Sequence, residues 1–497
     1  MSSIRRYKRQ RVEPRVVTTK EWCYTNTFDP ELQDWSNDLW FISEAVRVHP
    51  FVLVSGPGGC GKSTSLKALR HLITVYTNLR CDVIAPTGVA GMNINGLTMH
   101  RWLGMGILKQ AVDERFISTV TRNNIVNTDV LLIDEVSMIH PDFFAKFSQV
   151  CGICRGNSLP FGGIRIVMFG DFLQLPPVSI NNVSTAKFIT ETPLWHQMNV
   201  FRIFLRHLYR QSDQYFMMIL NKVRIGQVSE RTLDYLSRRI IVSNNNVSYD
   251  VIRLMARTAH VDAFNQSMMC RLQEEPVQIR ATVSCTSESR FHSTSENAKL
   301  AEIIHDPDKF FNFPSWVVLK NNARVMCRAN ITTDICNGSM GTIVNINSPY
   351  NISVKFDNID DGPENIIPHQ FRYNISDKAC VSMCIIPLLP AWAISIHKCQ
   401  SLSLSRAVVD AACFEEGQSY TALSRLRAVE GLHILGTRET IRNGIKTNVA
   451  AVRFERDPLM DILTLASRFC KTSALGVVWQ RSNISYNRLF HYIITFL

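Results

Sequence analysis

The chain has 497 residues, of which 46% are hydrophobic, and it carries a formal net charge of +12. This length corresponds to about three domains, and no window stays apolar for the ~20 residues that a membrane-spanning helix needs. The first residues contain no apolar core of a secretory signal, so we expect a protein that is not secreted and whose 14 cysteines are reduced thiols. The basic charge indicates either a polyanionic partner or simple solubility, and only motifs can distinguish these.

Arginines and lysines are concentrated within residues 1–20, where Glu13 is the single acid. Such a run predicts a solvated, disordered tail over residues 1–28. It also suits a nuclear-import signal or an arm on nucleic acid. We favour import, and therefore expect a nuclear protein, or otherwise a cytoplasmic one. Residues 29–47 then predict a helix that Asp29 caps, with Pro30 in its first turn. Gln33 on this segment is a candidate for reading an adenine edge.

The strongest motif is a glycine-rich loop that fits the pattern G-x-x-x-x-G-K-[ST]. An apolar run over residues 51–54 precedes it, and a helix-compatible segment over 65–72 follows it. Backbone N–H groups of such a loop point at phosphate oxygens, and the helix N-terminus adds partial positive charge. We expect Lys62 to reach the β- and γ-phosphates and Ser63 to ligate Mg²⁺. The predicted nucleotide contacts are Gly56, Pro57, Gly58, Gly59, Cys60, Gly61, Lys62, Ser63 and Thr64.

Further apolar strands also end in polar residues. The strand predicted over 129–133 ends at Asp134 and Glu135, and the one over 164–169 leads to Gln174. Because the carboxyl ends of parallel strands meet at one sheet edge, these side chains should lie near the phosphate loop. We expect Asp134 to hold Mg²⁺ through its hydration shell, Glu135 to polarise an attacking water and Gln174 to sense the γ-phosphate.

The second half of the chain is of mixed character. Strands are predicted at 251–255, 325–328, 407–410 and 432–435, and helices at 213–224, at 391–400 and from Gly417 onward. Short β-branched segments with turns between them over 337–386 predict a small antiparallel barrel. The second half has no further phosphate loop, so it should not bind a triphosphate in the same way.

Taken together, these motifs resemble those of superfamily 1 DNA helicases of the Pif/RecD type, in family order from about residue 33 to about residue 435. The matching segments are Gly56–Ser63, Ala85–Gly88, Ile133–Met138, Gly170–Val178, Tyr209–Gln211, Ile396–Gln400 and Tyr420–Arg425. The resemblance implies an α/β fold with two RecA-like parallel-sheet P-loop domains and a small inserted antiparallel β-barrel. The expected bounds are 29–190 for the first domain, 191–336 with 387–450 for the second, 337–386 for the barrel and 451–497 for a C-terminal helical extension.

The resemblance also implies ATP and Mg²⁺ as cofactors, bound between the two domains. Lys62, Glu135 and Gln174 would act from the first domain, and Arg210 and Arg425 would act as arginine fingers from the second. Single-stranded and forked DNA would be the partners, with no membrane, and movement would run from 5′ to 3′. The residues implied to contact the strand are Pro86, Thr87, Thr98 and His100 in the first domain and His397 and Lys398 in the second.

Two positions depart from the family pattern. Ser401 stands where glycine is usual after the Lys-x-Gln element, and Gly91 stands where alanine is usual. Two other functions remain open. One is an RNA-directed helicase of the same superfamily, which differs in contacts to 2′-hydroxyls. The other is a nucleic-acid-binding scaffold without unwinding activity, which would be expected to lose Lys62, Glu135 or an arginine finger, and all of these are present.

Overall fold

The computed structural model describes residues 37–103, 117–177, 187–243, 247–287 and 294–456, apart from 312, 333, 336, 358, 375–378 and 401. The predicted basic tail over 1–28, Asp29, Gln33 and Ser401 lie outside the described residues, as does the chain beyond residue 456. Of the helix predicted over 29–47, the structure describes the part from residue 37 onward. Among the described helices, none combines the length and apolar character that crossing a membrane requires.

The first domain is built on a six-stranded parallel sheet in the order β3-β2-β4-β5-β1-β6. Strands β1, β4 and β5 are buried along their whole length, as continuous apolar runs in a parallel sheet should be. The strands are β1 (Phe51–Ser55), β2 (Cys81–Ala85), β3 (Leu97–Thr98), β4 (Val130–Ile133), β5 (Arg165–Gly170) and β6 (Phe201–Phe204). Because β6 pairs with β1, the first sheet extends past residue 190, and the predicted boundary there is too early.

Helices cover both faces of this sheet and form two separate cores. Leu69 and Ile42 belong to the core on one face, and Phe144 and Phe147 to the core on the other. The helices are α1 (Asn37–Val48), α2 (Lys62–Tyr76), α3 (Gly88–Asn93), α4 (Met99–Trp102), α5 (Thr119–Asn127), α6 (Pro141–Arg155) and α7 (Pro193–Met198). This doubly wound arrangement directs the carboxyl ends of the strands to a common edge.

The second domain has a five-stranded parallel sheet in the order β19-β8-β20-β21-β7. Its strands are β7 (Ile240–Ile241), β8 (Ile252–Met255), β19 (Ala393–Ser395), β20 (Ala407–Asp410) and β21 (Leu432–Leu435). The associated helices are α8 (Gln214–Arg224), α9 (Glu230–Ser237), α10 (Thr258–Arg271), α12 (Gln418–Leu423) and α13 (Arg438–Gly444). Strands from the two ends of this segment meet in one sheet, so the region between α10 and β19 is an insertion.

The helix predicted over 391–400 is wrong. Ala393–Ser395 forms strand β19, which pairs with β8, and a short 3₁₀ helix, Ile396–Cys399, follows it. A short apolar run does not by itself distinguish a buried strand from a helix, and here sheet pairing decides.

Three antiparallel sheets occupy the insertion and share one hydrophobic core. Their strands are β9 (Val277–Arg280), β10 (Thr282–Ser287), β11 (Trp316–Leu319), β12 (Arg324–Cys327), β13 (Met340–Ser348), β14 (Asn351–Phe356), β15 (Glu364–Ile366), β16 (His369–Asn374), β17 (Ala379–Ile385) and β18 (Leu388–Pro390). Helix α11 (Thr294–His305) lies between β10 and β11 in sequence. The antiparallel region therefore begins at β9, well before the predicted boundary at 337, because β10 pairs with β17 and β12 with β13.

The last described helix, α14 (Val449–Arg456), returns to the first domain. Ala451 is part of a first-domain core, and Val452 and Phe454 pack against it. The start of the predicted C-terminal extension is therefore integrated into the first domain.

Candidate nucleotide and nucleic-acid sites

The glycine-rich loop joins β1 to α2 as the motif predicts. Gly59 and Gly61 have φ values of 91° and 86°, a left-handed conformation that glycine adopts without strain. Lys62 is the first residue of α2, and its Nζ donates hydrogen bonds to the carbonyl oxygens of Gly56 at 2.6 Å and Pro57 at 3.0 Å. The ammonium group is thus held over the concave side of the loop, where a phosphate would replace the carbonyl contacts.

Ser63 and Asp134 meet at the carboxyl edge of the sheet. The Ser63 hydroxyl donates to Asp134 Oδ2 at 2.9 Å, and the Glu135 amide donates to Asp134 Oδ1 at 2.9 Å. Burial, together with the nearby Glu135 carboxyl, raises the pKa of Asp134 to about 7. Hydroxyl and carboxylate oxygens suit Mg²⁺, whose charge would favour the ionised aspartate.

Within the described residues, no group of three or more His, Cys, Asp or Glu side chains could hold a metal. Ser63 and Asp134 supply few ligands, so a Mg²⁺ ion held here would also need oxygens from phosphates and water. This is the usual arrangement for Mg²⁺ at nucleotide sites. Glu135 follows Asp134 directly, in a left-handed conformation with φ 48° that is uncommon for a residue with a side chain.

Two arginines lie against the phosphate loop: Arg425 from the second domain and Arg210 from the connection between β6 and α8. A Cβ atom added at Gly58 would lie 3.0 Å from Arg425 Nη2, and one at Gly59 would lie 2.7 Å from Arg210 Cβ. Arg425 Nη2 also donates to Gln174 Oε1 at 3.3 Å. The structure therefore brings Gln174 and both predicted arginine fingers together beside the loop.

The electrostatics of this place favour an anion. Arg425 is buried, with 2% of its surface exposed. Burial and the neighbouring Arg425 lower the pKa of Arg210 to about 9. Arg210 is held by hydrogen bonds to Ser403 Oγ and Ser424 O, both at 2.8 Å. Two desolvated guanidinium groups close together are stabilised by a negatively charged ligand between them.

Three contributions to this cleft are not predicted by the sequence. Tyr420 lies within a quoted motif, yet its role was not foreseen: its hydroxyl accepts a hydrogen bond from the Gly58 amide at 2.8 Å. Arg224 forms a buried ion pair with Asp171 at 2.7 Å and lies 3.3 Å from Glu455. Neither ion pair has a sequence signal, since the partners lie on separate elements far apart in the chain.

The strand-contacting residues predicted in the first domain lie at one edge of its sheet. Pro86 and Thr87 follow β2, and the pairing of Ala85 with Thr98 places β3 beside them. The Thr87 hydroxyl accepts from the Ala90 amide at 3.2 Å, and the Thr98 hydroxyl from the Arg101 amide at 3.2 Å, so each begins a short helix.

His100 packs its ring against Phe143 at 4.7 Å between centroids, and burial lowers its pKa below the usual value. A neutral ring at physiological pH can stack on a base but does not add charge for a phosphate.

In the second domain, His397 and Lys398 lie on the 3₁₀ helix that follows β19. His397 Nε2 is 3.2 Å from Glu415 Oε2, and Lys398 is exposed. They thus lie at the carboxyl edge of the second parallel sheet.

Fold and cleft together define a P-loop protein with two parallel-sheet domains and a nucleotide site between them. The model of the PIF1-like helicase family matches residues 42–233 of this chain. This confirms the resemblance predicted from the motifs and the predicted fold class of two RecA-like domains with inserted antiparallel strands.

Curated relatives and solved structures of the family are similar over most of the described chain. The ATP-dependent DNA helicase PIF1 of Emericella nidulans is 30% identical over 445 residues, which cover 77% of this chain and 58% of that protein. The human ATP-dependent DNA helicase PIF1 is 29% identical over 405 residues, covering 79% of this chain and 59% of that protein. The chain thus spans somewhat more than half the length of these relatives.

The crystal structure of the Pif1 helicase from Candida albicans superposes with a TM-score of 0.70 and 27% identity, covering 85% of this chain and 99% of that one. The Bacteroides Pif1 helicase in complex with ADP-AlF3 and single-stranded DNA superposes with a TM-score of 0.63 and 26% identity, covering 85% of this chain and 96% of that one.

Proposed function

We propose that the chain is an ATP-dependent DNA helicase that moves along single-stranded DNA from 5′ to 3′ by hydrolysing ATP between its two parallel-sheet domains. The observation that carries this proposal is the placement of Arg425 of the second domain, together with Arg210 of the connection between β6 and α8, against the phosphate loop of the first domain. Arginines that reach across a cleft make its closure depend on the γ-phosphate, which is what a motor requires.

Each predicted catalytic residue has a role that its position supports. Lys62 and the loop amides bind the phosphates, and Ser63 and Asp134 hold the Mg²⁺ that shields their charge. Glu135, beside Asp134 at the end of β4, orients and polarises the attacking water. Gln174 contacts Arg425 and Asp171, so it is placed to report the state of the γ-phosphate to both domains.

Movement follows from alternating closure. While the arginines hold the γ-phosphate, the two sheets stay together, and loss of the phosphate releases them. The strand contacts lie on both domains, at Thr87 and Thr98 in one and at His397 and Lys398 in the other. Opening and closing of the cleft would therefore change the distance between the two sets of residues that contact one DNA strand. Unwinding needs this input because base stacking is worth ~1.4 kcal/mol per step.

DNA is the preferred substrate over RNA. The named relatives are DNA helicases, and the Bacteroides protein was crystallised with single-stranded DNA. The direction of movement is proposed from the family resemblance alone. Nuclear localisation is likewise proposed only from the basic residues within 1–28.

For the domain bounds, we propose that the first domain extends to β6 and takes in α14, and that the insertion begins at β9.

The proposal is tested by ATP-dependent unwinding of duplexes that carry a 5′ or a 3′ overhang, made in DNA and in RNA. We expect unwinding of the DNA duplex with the 5′ overhang, and little or none of the other three. Unwinding from a 3′ overhang would reverse the proposed direction, and preference for RNA would replace the proposed substrate. ATP hydrolysis without unwinding of any duplex would leave a translocase.

A further inference from the structure

Helix α14 follows the last helix of the second domain but is anchored in the first. The Phe454 ring makes edge contacts with Phe172 at 5.4 Å and Trp195 at 5.8 Å between centroids. The guanidinium of Arg202 lies 4.8 Å from the centroid of the same ring and donates to the Phe454 carbonyl at 3.0 Å. The helix is therefore a fixed part of the first domain, although only a short connection separates it from the second.

Glu455, the next residue, is buried, with 8% of its surface exposed, and faces the cleft. Its Oε1 accepts a hydrogen bond from the Ser55 hydroxyl at 2.5 Å, and its Oε2 lies 3.3 Å from Arg224 Nη2. Ser55 is the last residue of β1, directly before the phosphate loop. Arg224 is the last residue of α8, in the second domain. Glu455 thus joins both domains from a third element.

The contact continues to the γ-phosphate sensor. Arg224 Nη2 is 2.7 Å from Asp171 Oδ1, and Asp171 Oδ2 accepts from Gln174 Nε2 at 3.2 Å. Gln174 in turn accepts from Arg425 at 3.3 Å. Two buried carboxyl groups therefore lie against one guanidinium: Asp171 accepts hydrogen bonds from Arg224 and from Gln174, and Glu455 Oε2 forms an ion pair with Arg224.

We propose that Glu455 is a positioning residue for ATP hydrolysis: it fixes Arg224, and through Arg224 and Asp171 it orients Gln174. Without its charge, Arg224 has a single carboxylate partner, and the guanidinium can turn away from the geometry that holds Asp171. The hydrogen bonds from Arg224 to Asp171 are directional, so removing the second carboxyl group beside this guanidinium changes the orientation in which it holds Asp171. The inference rests on the proposed ATP hydrolysis, and it adds a residue outside the segment that the family model matches.

The test uses the full chain with Glu455→Gln, which keeps the size and the acceptor for Ser55 but removes the charge beside Arg224. The matched control is Arg456→Gln, the exposed neighbour on the same helix. With single-stranded DNA at saturation, we expect Glu455→Gln to lower kcat on the order of tenfold, with KM for ATP changed by less than about twofold. Arg456→Gln should behave as the unmodified chain.

A second comparison separates positioning from a general structural role. If Glu455 acts through Gln174, then adding Glu455→Gln to a Gln174→Ala variant should lower kcat no further, within about twofold. The proposal is overturned if Glu455→Gln lowers kcat by the same factor in the unmodified chain and in the Gln174→Ala variant. It is also overturned if Glu455→Gln leaves kcat unchanged or changes only the KM for ATP. Should Glu455→Gln not fold, Glu455→Asp gives the same test, since it keeps the charge but withdraws the carboxylate by one methylene.

Hydrogen exchange decides the inference independently of hydrolysis. The Leu173 amide donates to Asp171 Oδ1 at 3.1 Å, so its exchange reports whether Asp171 keeps its orientation. We expect Glu455→Gln to accelerate exchange at Leu173, and Arg456→Gln to leave it unchanged. If the unmodified chain does not hydrolyse ATP, the proposed function fails, whereas unchanged exchange at Leu173 in Glu455→Gln overturns the role of Glu455.

Discussion

The Tyr420 hydroxyl of the second domain accepts a hydrogen bond from the Gly58 amide of the phosphate loop at 2.8 Å. Loop amides of this kind donate to phosphate oxygens when a nucleotide is bound. Tyr420 therefore takes the place of an acceptor that ATP would supply. Through this contact the two domains lie closed on each other, and the Tyr420 hydroxyl pairs with one of the amides of the phosphate loop.

Tyr420→Phe should consequently bind ATP more tightly. Removing the hydroxyl frees the Gly58 amide, and a net hydrogen bond is worth about 0.5–1.5 kcal/mol, which corresponds to roughly twofold to tenfold in Kd. Titration with a fluorescent ATP analogue measures this directly, and Tyr235→Phe, on α9, is a suitable control. Weaker binding by Tyr420→Phe would mean that the hydroxyl contacts the nucleotide itself.

Lys62→Ala should abolish ATP hydrolysis but leave binding of single-stranded DNA measurable. The ammonium is held at the loop carbonyls, whereas the predicted strand contacts follow β2, lie on β3 and α4, and lie on the 3₁₀ helix after β19. Lys67→Ala, which removes an exposed lysine from the same helix, should hydrolyse ATP normally. Persistent hydrolysis by Lys62→Ala would remove the loop from the mechanism.

Gly59→Ala should impair hydrolysis more than it impairs folding. A methyl group there would lie 2.7 Å from Arg210 Cβ and would be built on a φ of 91°, so the arginine would have to move. Gly156 provides the control, because its φ is 67° but nothing lies within 4 Å of an added Cβ. We expect hydrolysis to fall at least about tenfold in Gly59→Ala. Gly156→Ala should lose only about 1 kcal/mol of stability. Similar hydrolysis by both variants would show that Arg210 does not need this close approach.

The thiol of Cys60, inside the loop, should resist alkylation. Burial raises the pKa of this thiol above its usual value, so less of it is the reactive thiolate than for an exposed cysteine at the same pH. Cys270 is exposed and serves as the internal reference. Mass spectrometry after treatment with iodoacetamide should find Cys270 modified at least about tenfold faster. Rapid modification of Cys60 would indicate that the cleft opens widely in solution.

The sequence predicts those parts of the site in which polar residues directly follow an apolar strand along the chain. The loop at Gly56–Thr64, Asp134 and Gln174 each follow an apolar run, and parallel pairing necessarily brings such ends to one edge. The arginine fingers came from the family resemblance, since nothing local to Arg210 or Arg425 shows what they face.

Other features depend on tertiary pairing that a local pattern does not contain. The segment over 391–400 contains a strand because it pairs with β8. Strand β6 belongs to the first sheet because it pairs with β1. Glu455 and Ser55 are 400 residues apart, and their contact exists only because α14 returns to the first domain. From the sequence alone, a charged residue near the end of a helix is predicted to be solvent-exposed. The burial of Glu455 follows only from the packing of α14 on the first domain.

Whether Arg425 acts on the transferring phosphoryl group is tested by comparing ATP hydrolysis with ATP binding in Arg425→Ala. An arginine finger acts on charge that develops in the transition state, and it contributes about 10³–10⁵ in rate. We therefore predict that kcat falls by at least about a hundredfold, while the Kd for ATP changes by less than about tenfold. Equal losses in hydrolysis and binding would contradict the account, because Arg425 would then hold the nucleotide without acting on its cleavage.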